Sequence, residues 1–87
     1  MSIKLKLCPV LSYYADNKTS VEVSGNTISE CLHNLTIQIP ALNKLIETPD
    51  ASRIIHIYIN KDDTAIEDLN QSVKDGDEVR LVFFLDG

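Results

Sequence analysis

Eighty-seven residues suffice for one small domain, residues 1–87, that buries only roughly 60–65% of its unfolded surface. Hydrophobic residues make up 44% of the chain and charged residues 24%, a globular balance that excludes a disordered tract. The formal charge of −5 comes entirely from 61–87, where eight acids face Lys61, Lys74 and Arg80, while five acids and five bases cancel in 1–60. An acidic C-terminal third disfavours nucleic acid and anionic membrane as partners; it suits either a basic protein surface or plain solvation.

The chain opens on a half-buried strand. Over 3–8 the residues Ile3, Leu5 and Leu7 face one way, Lys4, Lys6 and Cys8 the other. Turn-forming Ala15-Asp16-Asn17-Lys18 and a second alternation over Thr19 to Val23 complete a hairpin with a long loop. Tyr13 and Tyr14 are expected to pack that loop against the end of the sheet. Gly25-Asn26 breaks the second strand, and Thr27 with Glu30 forms a T-x-x-E capping box.

Ile28, Cys31, Leu32 and Leu35 then recur at helical spacing, predicting a helix that Pro40 stops by about Gln38. Pro40 opens a second short helical turn carrying Leu42, Leu45 and Ile46, and Thr48-Pro49-Asp50 turns the chain again. Arg53 to Asn60 reads as a strand with Ile55, Ile57 and Ile59 inward and Ile54, His56 and Tyr58 outward. Residues 61–76 are polar, anchored by Ala65, Ile66, Leu69 and Val73, and end in the turn Asp75-Gly76-Asp77. The final strand, Glu78 to Leu85, has Val79, Leu81, Phe83 and Leu85 on one face.

Strand, strand, helix, strand, strand, with one apolar stripe on the helix, predicts an α+β fold. A mixed sheet of four to five strands packs on one main helix, the β-grasp arrangement. Its core would hold Ile3, Leu5, Leu7, Val21, Val23, Ile28, Leu32, Leu35, Ile55, Ile57, Ile59, Leu81 and Phe83. The opposite face stays open, and an apolar patch of Val82, Phe84, Ile54 and Tyr58 beside Cys8 is expected there as a docking surface.

Reactive side chains do not cluster. Cys8 and Cys31 lack CxxC spacing and histidine neighbours, and four-cysteine iron–sulfur ligation is excluded. Spacing alone leaves a disulfide between them open; reduced thiols, with Cys31 buried in the helix stripe, are expected in the cytoplasm. Cytoplasmic residence is itself the expectation, because no apolar run approaches the ~20 residues needed to span a bilayer and no signal peptide precedes Lys4. His33 and His56 find no second metal ligand at a useful spacing, and Asp62, Asp63, Glu67 and Asp68 lack the glycine and spacing of a calcium loop. Asn17-Lys18-Thr19 and Asn34-Leu35-Thr36 match the glycosylation pattern by chance, given no secretory signal. A self-contained enzyme is therefore not expected. The free end is the remaining candidate, because Gly87 is the least hindered residue that could carry a carboxylate into a narrow channel.

Several segments together resemble the MoaD/ThiS branch of ubiquitin-like (β-grasp) sulfur carrier proteins. They are Val21-x-Val23-x-Gly25-x-Thr27-Ile28-x-x-Cys31-Leu32-x-x-Leu35, Pro40-Ala41-Leu42-x-x-Leu45, Ile57-x-Ile59-Asn60 and Val73-x-Asp75-Gly76-Asp77-Glu78-Val79. The Pro40-Ala41-Leu42 segment and the length look most like the molybdopterin synthase small-subunit type. That resemblance implies a non-catalytic carrier with no bound cofactor. A ubiquitin-activating-type adenylyltransferase would use ATP to join AMP to the Gly87 carboxylate. A sulfur donor would displace AMP to leave a thiocarboxylate, and a molybdopterin synthase large subunit or similar enzyme would accept the sulfur.

Leu85 and Asp86 would form a flexible tail at about 85–87, with Tyr58, Val82, Phe83 and Phe84 toward the partner. The chain departs from the family at Asp86, where a penultimate glycine is usual. Its charge opposes ATP phosphates and calls for a compensating Lys or Arg in the partner. The alternative reading is a β-grasp interaction module that uses the open face without tail chemistry.

Overall fold

A computed structural model describes residues 2–46 and 55–83, with the backbone alone for Lys44, Leu45 and Phe83. Apolar alternation makes β1 (Ile3–Leu7) and β2 (Ser20–Val23), whose inward residues Ile3, Leu5, Leu7, Val21 and Val23 are all buried. The two pair antiparallel, Leu5 opposite Val21. Between them the structure adds a short helix, α1 (Pro9–Tyr14), where the sequence suggested only loop. Pro9 presets its first turn, and Leu11 is its one fully buried residue. Tyr13 and Tyr14 do not pack the loop against the sheet. They are 75% and 46% exposed and meet each other edge to face, 5.3 Å apart, because the six-residue helix turns its buried stripe through Leu11.

The main helix, α2 (Ile28–Gln38), begins and ends where the sequence places it. The Thr27 hydroxyl accepts from the Glu30 amide at 3.2 Å, and the Glu30 carboxylate accepts from the Asn26 amide at 2.8 Å. The first two amides of the helix, which a side-chain cap leaves open, donate to the returning chain. Ile28 N–H reaches the Gln71 carbonyl at 3.0 Å and Ser29 N–H the Leu69 carbonyl at 2.8 Å. That N-terminus is therefore closed by protein and offers no anion site. Ile28, Cys31, Leu32 and Leu35 bury the predicted stripe. A 3-10 turn at Pro40–Leu42 and a short α3 (Asn43–Ile46) follow, burying Leu42 and Ile46.

The last two strands are β3 (Ile55–Ile59) and β4 (Glu78–Phe83). The sheet order is β2-β1-β4-β3, with β1 and β4 parallel and the other pairs antiparallel. Helix α2 covers one face over a single core that also takes in Ala15, Val73 and Val79, while Ile59 is only half-buried at its margin. This is the β-grasp fold, with four strands among the described residues. No helix among them is long and apolar enough to cross a membrane. The turn expected at Thr48-Pro49-Asp50 and the tail beyond Phe83 lie outside the described residues.

Candidate functional site: the central strand and its open face

Strand β4 leads the chain toward its end, and its position is set from both sides. It lies in the middle of the sheet, Leu81 opposite Leu7 of β1 and Ile57 of β3. Its start is knotted by Asn60, which takes the left-handed conformation at φ 53° that asparagine tolerates better than most residues. From there the Asn60 amide donates to the Glu78 carbonyl at 2.7 Å, and its side-chain oxygen accepts from the Glu78 amide at 3.0 Å. Asp77 completes the knot, accepting from the Lys74 amide at 2.8 Å and the Asn60 side chain at 3.3 Å. Gly76, at φ +89°, turns the chain into it, a backbone angle that favours glycine. Two of the four recognised segments, Ile57-x-Ile59-Asn60 and Asp75-Gly76-Asp77-Glu78, thus meet in one hydrogen-bonded node.

On the open face, cross-strand register sets Val82 beside His56 and Arg80 beside Tyr58. All four are half-buried. The Arg80 guanidinium lies 5.2 Å from the centre of the Tyr58 ring, a cation–π arrangement, and donates to the Asp62 carbonyl at 3.0 Å. Lys6 and Glu78 pair at 3.6 Å. The described part of this face thus adds Arg80 and its charge to two members of the expected apolar patch, Tyr58 and Val82. Sequence reading counted Arg80 only as one of three bases, because contact with Tyr58 depends on strand register. Of the expected site residues, the structure brings Tyr58 and Val82 onto one face. Phe84, Leu85, Asp86, Gly87, Ile54 and the Phe83 side chain lie outside the described residues.

The remaining candidates stay apart. Cys8 and Cys31 are not joined in a disulfide. Burial, aided by the Glu30 carboxylate, pushes the Cys31 thiol above its ordinary value. Asp62 and Asp68 accept from the amides of Thr64 and Asn70, both at 2.9 Å, as turn-forming carboxylates do. No three potential metal ligands converge among the described residues.

Comparison with known proteins decides the family. The ThiS family model matches residues 11–87. The chain belongs to the ThiS family. This is a family of ubiquitin-like sulfur carriers and modifiers.

Solved structures agree with that placement. The small archaeal modifier protein SAMP1 of Haloferax volcanii is 25% identical, with a TM-score of 0.84 over 100% of this chain and 99% of that one. Small archaeal modifier protein 1 of Methanosarcina acetivorans is 28% identical, with a TM-score of 0.82 over 99% and 95%. The complex of subunits 1 and 2 of molybdopterin-converting factor from Helicobacter pylori matches at 20% identity and a TM-score of 0.65, over 100% and 99%. At that identity the last likeness speaks for the fold. No curated protein matches the chain in sequence.

Proposed function

We propose that this ThiS-family chain is a cytoplasmic sulfur carrier whose Gly87 carboxylate is activated and converted to a thiocarboxylate. The carboxylate oxygen attacks the α-phosphate of ATP, pyrophosphate leaves, and an acyl-adenylate remains on Gly87. A sulfur nucleophile then attacks the acyl carbon, AMP leaves with the bonding electron pair, and the thiocarboxylate forms. A partner adenylyltransferase performs the first step, a sulfur donor supplies the nucleophile of the second, and an acceptor enzyme of the molybdopterin synthase large-subunit type takes the sulfur. The chain itself supplies no acid, base or nucleophilic side chain. It supplies the end group, Phe83, Phe84, Leu85 and Asp86 leading to it, and an open face including Tyr58 and Val82, with Phe84, for docking.

One observation carries this reading: the family match runs through residue 87, so the terminal glycine falls inside the matched region. Strand β4 supports it, because a tail threaded into a partner needs a fixed base, and the β1 ladder holds β4 as far as Leu81 while the β3 ladder holds it as far as Phe83. Likeness to two archaeal modifier proteins favours a second reading, in which the same activated carboxylate is joined to an acceptor amine.

The test is intact mass after incubation with ATP, a co-encoded adenylyltransferase and a sulfur donor. The carrier reading expects a gain equal to sulfur minus oxygen, absent when Gly87 is deleted and enhanced in Asp86→Gly. Attachment to an acceptor protein, lost with the same deletion, would support the modifier reading. An unchanged mass, while a known carrier is converted alongside, would leave a non-covalent interaction module.

A further inference from the structure

Strand β2 lies at the outer edge of the sheet. An edge strand presents alternate main-chain groups to any chain that could pair with it, which makes it a template for unwanted strand addition. The direction of those groups follows from the ladder. Leu7 N–H donates to the Thr19 carbonyl at 2.9 Å, so the main-chain groups of the odd-numbered residues face β1 and those of Ser20, Glu22 and Ser24 face outward.

Two of those outward carbonyls are occupied. The Asn34 side-chain amide donates to the Ser24 carbonyl at 2.6 Å, and the Gln38 side-chain amide donates to the Glu22 carbonyl at 3.0 Å. The spacing is matched. Residues four apart on a helix rise about 6 Å, at ~1.5 Å each. Residues two apart on a strand are separated by about 7 Å, at ~3.4 Å each. Helix α2 runs opposite to β2, so the later helix residue meets the earlier strand residue.

The other outer strand, β3, is closed by different means. Its Ile57 carbonyl accepts from the Ile66 amide at 2.7 Å, and its Ile59 carbonyl from the Asp62 amide at 3.0 Å. Main chain covers that edge. On β2 side chains cover Glu22 and Ser24, and side chains can be removed without rebuilding the fold.

We infer that Asn34 and Gln38 form a two-amide clasp that closes the β2 edge to strand addition, above all by a second copy of this chain. An incoming strand needs acceptor and donor together at each outward residue, and the clasp removes the acceptors at Glu22 and Ser24. This inference stands apart from tail chemistry and holds whether or not Gly87 is activated.

The experiment is sedimentation velocity on full-length protein from micromolar to millimolar concentration, with far-UV circular dichroism to follow the fold. Wild type keeps one mass across the range. Asn34→Ala/Gln38→Ala keeps the wild-type spectrum but shifts toward twice its mass as concentration rises. Adding Glu22→Pro returns it to the wild-type mass, because the Glu22 N–H faces outward and a proline there blocks pairing without costing a β1 bond. A folded double variant that keeps the wild-type mass throughout overturns the inference. So does a dimer that persists with Glu22→Pro, which would place the contact elsewhere. Loss of fold in the double variant also overturns it, by making the amides supports of the structure instead of guards of its edge.

Discussion

Gly25 tests whether the recognised Val21-x-Val23-x-Gly25-x-Thr27 pattern has a packing cause. Its φ lies outside the left-handed region, so conformational freedom does not explain it. Space does. A Cβ there would lie 2.7 Å from Cys31 Sγ, 3.0 Å from the Cys31 amide nitrogen and 3.3 Å from Cys31 Cα, against ordinary carbon contacts of about 3.5–4.0 Å. Cys31 is fully buried in the first turns of α2 and has little room to withdraw. Overpacking of this kind costs roughly 1–3 kcal/mol. Alanine recovers about 0.4–1 kcal/mol by restricting the unfolded chain. The expected net loss for Gly25→Ala is therefore about 1–2 kcal/mol, a fall in Tm of roughly 5–15 °C for a domain of this size. Thermal unfolding followed by circular dichroism measures it. Cys31→Ala removes the shortest contact but not the backbone ones, so the double variant should lose less than the sum of the single losses. A Gly25→Ala melt superimposed on wild type, or strictly additive losses, would refute the packing argument.

Asn60→Ala should cost about 1–3 kcal/mol, because it removes the acceptor for the Glu78 amide and leaves a non-glycine residue in the left-handed region. Asn60→Gly should recover the backbone part alone; equal losses for both in chemical denaturation would discount the backbone contribution. The raised Cys31 thiol gives a signed pH dependence. The folded state holds that proton more tightly than the unfolded one, so the stabilisation is complete below the unfolded value of about 8.5 and is lost as pH rises through the higher folded value. Tm should fall more steeply above pH 9 in wild type than in Cys31→Ala, and parallel profiles would contradict this. Alkylation of native protein read by mass should label half-buried Cys8 well before buried Cys31; equal rates would argue against the packing of α2.

The parts of the fold legible in sequence are those where period and punctuation agree. Ile28, Cys31, Leu32 and Leu35 mark one helix face, Thr27 and Pro40 bracket it, and the structure places α2 between them. Strands β1 and β2 follow from clean alternation in the same way. Helix α1 was illegible because six residues give one buried position, Leu11, and its N-cap residue Cys8 makes no side-chain cap bond. Tyr13 and Tyr14 added to the error, since aromatic residues suggest burial and here stay exposed.

The candidate site was legible only in outline. Tyr58 and Val82 sharing a face follows from alternation within each strand. Arg80 over Tyr58, Asn60 tied to Glu78, and Asn34 and Gln38 reaching β2 depend on register and crossover between segments distant in sequence. No local pattern carries that information.

The parallel pairing of β1 with β4 has a mechanical consequence. The start of β1 and the end of β4 lie at opposite ends of their shared ladder. Tension between Ser2 and Phe83 therefore loads that ladder in shear, so its hydrogen bonds must yield together and cannot peel one at a time. A partner that draws on the tail would pull against the stiffest direction of the sheet. The domain would stay folded while its end is handled.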